Sequence, residues 1–334
     1  MSNTDYSYIV GRVRALETQL LNQTLLERVL DAKTADEAFR VLNDHPLISD
    51  HIGDLKVGDY QKVFLSALKS IQKIIHEMAP DKEFMNFLWY KYDFHNLKVV
   101  LKARLMEHGF ADIEHALIDV GLHSLENWEK VLFEGKCLDL IPGVNSAIKE
   151  ATEFYEKTKD PQVVDLVVDQ HYLNELLRLA DEMGSPLVQA YVARLIDITN
   201  ARTFVRCKEL KRDKQHFEKF LVKGGSVYTD TFLNSYDKGY DELRVVVEKR
   251  PHMSDLAEAL DAVKKDKSLL ALETKILENL QNFMKESQRE SFGPEPVFAF
   301  FYKFENHLQI LRTVLIGKLN KLEVKEIASS LPNL

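Results

Sequence analysis

Apolar residues recur along this chain at intervals of three and four, the spacing that lines one face of an α-helix. Ile9, Val13, Leu16 and Leu20 form the first such stripe. Thr24-Leu25-Leu26-Glu27 and Thr34-Ala35-Asp36-Glu37 follow. Each sets a hydroxyl and a carboxylate where they can satisfy the free N–H groups of a helix start. His45-Pro46 interrupts the pattern, because the residue before a proline is pushed out of the helical region. Phe64, Leu65, Leu68, Ile71, Ile74 and Ile75 make a second stripe that ends at Ala79-Pro80. The pattern then predicts a long helix from Asp81 to Glu107, closed by His108-Gly109. Asp160-Pro161 predicts an N-cap followed by proline in the first turn, for a helix carrying Val163, Leu166, Val167, Leu173, Leu176 and Leu177. A helix through Leu195 toward Phe220, a turn at Gly224-Gly225, a helix capped by Ser254 and a last one from Pro296 past Leu315 complete the series. Leu243 to Val247 is β-branched but lies among helical neighbours, so the whole chain reads as all-α. With only 13 glycines and 9 prolines in 334 residues, tight turns are too few for a strand-rich fold.

Three of the predicted helices resemble one another. Residues 87–101 carry Asp93, Asn96 and Lys98, and residues 195–205 carry Asp197, Asn200 and Arg202. Both read Asp-x-x-Asn-x-(Lys/Arg). Residues 301–315 keep the cation, Arg312, and the apolar tail, but hold His307 and Ile310 where the others hold acid and amide. The offsets are 197 − 93 = 104 and 307 − 197 = 110. That is far beyond the ~20–50-residue period of a solenoid. It predicts three tandem helical domains, 1–115, 116–222 and 223–334, closing around a pseudo-threefold axis. Their repeat helices are 84–107, 187–220 and 296–319, and the N-terminal helices are expected beside the third repeat. Asp and Asn at i and i+3 share a helix face, while the cation two positions on projects to the other side. Each face would then meet something different, a neighbouring domain on one side and a bound partner on the other. The competing reading is that Asp93, Asn96, Asp197 and Asn200 satisfy buried backbone groups between helices.

Candidate chemistry is sparse. No phosphate loop of the GxxxxGK[ST] kind is present, and no HExxH, GxSxG or GxGxxG. The 11 histidines are scattered, and no set with metal-ligand spacing stands out. The aromatic cluster Phe84, Phe87, Trp89, Tyr90, Tyr92 and Phe94 has the spacing of a helix core rather than of a ligand box. Cys137 and Cys207 form no CxxC, which fits a reducing compartment. A net charge of −8 argues against nucleic acid, whose binding rests on cations. The one basic stretch, Arg206 to Lys214, is broken by Glu209 and Asp213 and reads as a solvated helix face. No apolar run nears the ~18–20 residues of a membrane span. The chain is expected to be soluble, with any membrane association running through a partner.

Several segments together resemble a known family. They are Tyr8-Ile9-Val10-Gly11-Arg12-Val13-Arg14-Ala15, Tyr92-Asp93-Phe94-His95-Asn96-Leu97-Lys98, Phe292-Gly293-Pro294-Glu295-Pro296-Val297, and Leu311 through Leu319. In this order and spacing they resemble the C subunits of archaeal and bacterial V/A-type ATPases, whose eukaryotic counterparts are the d subunits of vacuolar ATPases. The likeness covers essentially the whole chain. His307 and Ile310 depart from it, since the family often has an acidic residue and Asn there. The resemblance implies a funnel of three similar all-helical domains and no catalysis or cofactor. It implies the D and F subunits of the central shaft and a membrane proteolipid ring as partners, and a peripheral place at the cytoplasmic face of the membrane. Lys98, Arg202 and Arg312 would be the cationic contact set, and Asp93, Asn96, Asp197 and Asn200 the wall. A helical scaffold of another assembly, or a helical enzyme with an unmarked site, are the rival readings.

Overall fold

The computed structural model describes residues 3–137, 140–250, 253–266, 269–287 and 293–331. Among these residues every regular element is a helix and there is no strand. In chain order the helices are α1 (Ser7–Glu17), α2 (Gln23–Asp31), α3 (Ala35–Val41), α4 (Tyr60–Met78), α5 (Lys82–Asn86) and α6 (Tyr90–Leu105). There follow α7 (Phe110–Ile113), α8 (Leu125–Glu134), α9 (Pro142–Thr158), α10 (Gln162–Met183), α11 (Pro186–Glu209) and α12 (Lys214–Lys219). The rest are α13 (Thr229–Lys238), α14 (Tyr240–Glu248), α15 (Ser254–Asp266), α16 (Leu269–Ser287), α17 (Glu295–Leu319) and α18 (Val324–Ser329). Phe292, part of the family-like segment before α17, lies outside the described residues.

The chain forms two compact units, residues 1–82 with 265–334, and residues 83–264. In the first, α17 is the hub on which α1, α2, α3, α4, α16 and α18 pack. It can play that part because it is apolar nearly all round: Phe298, Phe300, Phe301, Phe304, Leu311 and Leu315 are all buried. Lys318 near its end donates to the Leu30 and Ala32 carbonyls at 2.7 and 2.5 Å, closing the C-terminus of α2. In the second unit α6 packs on α8, α9 and α10, α10 on α11, and α11 on α12 and α13. A stacked Phe217–Tyr236 pair and an edge-on Phe204–Phe217 pair fill the space between α11, α12 and α13.

Several helix ends differ from the sequence reading. α2 is capped by Asn22, whose side chain accepts the Leu25 N–H at 2.9 Å, and Thr24 lies inside the helix. Asn is as good a cap and comes first. Thr34 caps α3 as expected, accepting the Glu37 N–H at 3.1 Å. The helix expected from Asp81 to Glu107 is two. Residues 87–89 form a tighter turn, with the Leu88 N–H donating to Met85 and that of Trp89 to Asn86. Phe87, Leu88, Trp89 and Tyr90 are all buried, and four consecutive side chains cannot share one face of a regular helix. Asp160 sits one residue outside the cap of α10, where it accepts the Gln162 N–H at 3.0 Å. The helix expected over 187–220 ends at Glu209, because Lys211 turns left-handed.

Candidate functional site

Asp93 and Asn96 on α6 are fully buried, as are Asp197 and Asn200 on α11. Each pair grips the loop beyond the short helix that follows its own, after α7 or α12. Asn96 Nδ2 donates to the Ile118 carbonyl at 2.9 Å, and the Ile118 N–H returns to Asn96 Oδ1 at 2.8 Å. Asp93 accepts the Leu122 and His123 N–H groups at 2.8 and 3.1 Å. The second copy repeats this bond for bond. Asn200 exchanges both bonds with Val222 at 2.8 and 2.9 Å. Asp197 accepts the Ser226 and Val227 N–H groups at 2.9 and 3.0 Å, and also the Ser226 hydroxyl. The sequence separations are the same in both copies: 22 residues for the amide, 29 and 30 for the acid.

The fit is close enough to dictate two glycines. A Cβ on Gly121 would lie 2.2 Å from Asp93 Oδ1, and one on Gly225 2.2 Å from Asp197 Oδ1. Each glycine stands 28 residues after its aspartate. Burial pushes the Asp93 carboxyl up to about 7, against the two N–H donations that favour its charged form. Asp197 is raised for the same reason, opposed first by the Ser226 hydroxyl and then by the Val227 and Ser226 N–H groups.

The repeat extends past the clamps. Glu107, Lys211 and Lys321 take left-handed backbone angles, with φ of 60°, 53° and 57°. Each follows Asp93, Asp197 or His307 by the same fourteen positions. The next N–H in each case bonds back over five residues, His108 to Ala103, Arg212 to Cys207 and Leu322 to Gly317, at 2.9, 2.8 and 2.9 Å. This is a Schellman closure, and it opens each time into a short helix, α7, α12 or α18. The third copy thus keeps the helix end while burying His307 and Ile310 in place of acid and amide.

The cations behave differently from the clamps. Lys98 pairs with Asp169 on α10, one turn from a Lys102–Asp165 pair of 2.6 Å. Arg202 and Arg312 are half-buried on α11 and α17. The structure brings Asp93 together with Asn96, and Asp197 with Asn200. The sequence places a turn at Gly224-Gly225 but does not show that Gly225 lies against Asp197, nor Gly121 against Asp93, nor the anchored loops, although the shared 28-residue spacing was there to be found. No cluster of metal-ligating side chains occurs among the described residues. No described helix is long and apolar enough to cross a membrane.

A family model described as ATP synthase (C/AC39) subunit matches residues 9–330. The chain is 25% identical to the C subunit of the V-type sodium ATPase of Enterococcus hirae, over 97% of each chain. It is 22% identical to the C subunit of the A-type ATP synthase of Methanocaldococcus jannaschii, over 98% of this chain and 86% of that one. To the corresponding A-type ATP synthase C subunit of Methanococcoides burtonii it is 22% identical, over 99% of this chain and 95% of the other.

Proposed function

Because the chain belongs to the ATP synthase (C/AC39) subunit family, and is therefore a non-catalytic subunit of a V/A-type rotary ATPase, we propose that it is the socket joining shaft to ring. In this reading it seats the D and F subunits of the central shaft on the membrane proteolipid ring, at the cytoplasmic face, and passes torque between them. The observation that carries the reading is the family match along nearly the whole chain, residues 9–330. The clamps support it physically. A coupling part must hold its partners through repeated loading without yielding, and that requires stiff walls and wide interfaces. Loops pinned to helices by buried, fully paired side chains resist such loading better than loops held by surface contacts.

The tandem repeats 1–115, 116–222 and 223–334 are the proposed building blocks. Asp93, Asn96, Asp197 and Asn200 shape the wall, and Lys98, Arg202 and Arg312 are the proposed cationic contacts. Lys98 would exchange its Asp169 partner for one on the bound subunit.

The test is affinity purification of the tagged chain from detergent-solubilised membranes, with co-purifying chains identified by mass spectrometry. Recovery of shaft subunits and proteolipid in near-equal yield with the chain is the expected result. Recovery of the chain alone overturns the socket. In the same assay Lys98→Gln, Arg202→Gln and Arg312→Gln combined should cut recovery by more than about tenfold with helicity intact. Unchanged recovery removes the cationic set from the interface.

A further inference from the structure

Each clamp helix with the helices that follow it, α6 to α9 and α11 to α15, is a copy of one pattern that runs across the repeat bounds at 115 and 222. Both copies lie in the second unit, so they can be compared position by position. Trp128 on α8 and Phe232 on α13 are both fully buried, 104 residues apart like the aspartates. Gly135 and Gly239 end those helices at the same offset, with φ of 75° and 96°. Beyond them the offset becomes 112. Val144, Ala147, Ile148 and Ala151 of α9 correspond to Leu256, Ala259, Leu260 and Val263 of α15, and all eight are buried. The second copy has therefore gained eight residues between these helices, in the stretch that folds as the nine-residue α14.

α14 fills a defined slot. Tyr240 packs edge-on against Phe204 at 5.8 Å, and its hydroxyl donates to Glu209 at 2.8 Å. Leu243 and Val247 are buried. Asp241 and Arg244 pair with Lys264 and Asp261 of α15 at 2.6 and 2.7 Å. Glu209 and Lys264 correspond to Leu105 and Thr152 at the two offsets above. Those two residues line an open groove of about 490 Å³ between the ends of α6, α8 and α9. Leu132, Phe133, Tyr155 and Lys159 complete the part of its wall that matters here. Phe133 is 63% exposed at its mouth and the adjoining Met106 51%. Glu107, Glu156, Arg104 and Lys159 supply charges of both signs around it.

We propose that this groove is a docking site for a short amphipathic helix of another protein chain, taking the place that α14 takes in the second copy. The second copy defines the occupant's chemistry. It is two turns long, apolar at i, i+3 and i+7 as in Tyr240, Leu243 and Val247, with an aromatic at the first position and charges of both signs on its flanks. Aromatic and aliphatic anchors seated in a preformed slot carry most of the affinity of such interfaces. The inference goes beyond the socket reading, because it concerns one groove within one unit and holds whichever neighbouring chain supplies the helix.

The experiment replaces Phe133 by p-benzoylphenylalanine in the full chain, within the complex on its native membranes, and maps the photo-adduct by mass spectrometry. The same label at Tyr228, 74% exposed in the same unit, is the control. The expected result is an adduct from position 133 on a segment of another chain with the i, i+3, i+7 pattern. Filling the groove with Thr152→Trp should lower its yield about tenfold while helicity and complex composition stay unchanged. An intact complex with no adduct, an adduct on lipid, an equal adduct from position 228, or indifference to Thr152→Trp each overturns the proposal. If the chain purifies without shaft or ring subunits, the socket reading fails. The adduct from position 133 still decides the groove.

Discussion

Replacing Gly121 by alanine sets a Cβ 2.2 Å from Asp93 Oδ1, so the anchored loop or the carboxylate must move. Overpacking of this kind costs about 2–3 kcal/mol. Asp93→Ala alone strands the Leu122 and His123 N–H groups, the second of them buried, at about 2–4 kcal/mol. Once the carboxylate is gone, the added methyl has room. Gly121→Ala in the Asp93→Ala background should cost under about 0.5 kcal/mol, a coupling that a double-mutant cycle by urea denaturation reads directly. Additive costs would mean the clamp does not hold the loop. The Asp-x-x-Asn spacing was legible in the sequence, and so was the reading that these residues satisfy buried backbone. What they hold was not, for a physical reason. The anchored groups are main-chain N–H and C=O, so Ile118, Leu122 and His123 in one copy face Val222, Ser226 and Val227 in the other without side-chain likeness. His45 offers a second test at this scale, in the first unit. It is buried, its Nδ1 accepts the Leu47 N–H at 3.2 Å, and burial lowers its pKa to about 4. The folded state then favours the neutral ring. The stability this gives is present above the ordinary pKa of 6.5 and is lost as pH falls from there toward 4, by about 3 kcal/mol. His45→Asn can still accept the Leu47 N–H and does not titrate. Its stability between pH 7 and pH 4 should fall less steeply than the wild type's, and parallel slopes would exclude His45 as the source.

The helices themselves were legible because their apolar stripes are long and periodic. Several of their ends were not, because an end is decided by one or two residues. Glycine is the ordinary signal for a left-handed stop, and it marks Gly135 and Gly184. Glu107, Lys211 and Lys321 make the same turn without it, which is why the helix through Leu195 reads on toward Phe220 in the sequence. A side chain with a Cβ in the left-handed region carries a cost of about 1–2 kcal/mol that glycine escapes. Lys211→Gly and Lys321→Gly should therefore each raise stability by about 0.5–1 kcal/mol, and Lys211→Val should lower it by at least as much. The midpoint of chemical denaturation measures both signs. If glycine destabilises at either position, the lysine side chain contributes more to the cap than its backbone strain costs.

Pairing between distant parts of a chain leaves no local trace in a sequence. The run from Val297 to Tyr302 carries the local mark of an interior helix, but nothing in it says which helices pack there. The N-terminal helices are expected beside the third repeat, but no periodicity within either segment says which helices meet: α17 gathers α1, α2, α3 and α4, whose residues precede it by more than two hundred positions. The consequence is that the first unit has its weakest point in one helix. Phe304 is fully buried and stacks on Phe300 at a centroid distance of 6.3 Å. Phe304→Ala removes that packing and leaves a cavity, at about 3–5 kcal/mol. The loss should spread over everything that packs on α17, not over what is near it in sequence. Hydrogen exchange followed by mass spectrometry should show faster exchange in α1, α2 and α4 as well as in α17. The matching change in the second unit, Phe204→Ala, should loosen α11, α12 and α13, which meet around that ring. If Phe304→Ala left α1 and α4 protected while α17 opened, those N-terminal helices would owe their order to something other than α17. The hub would then be a contact of the folded state and not a source of its stability.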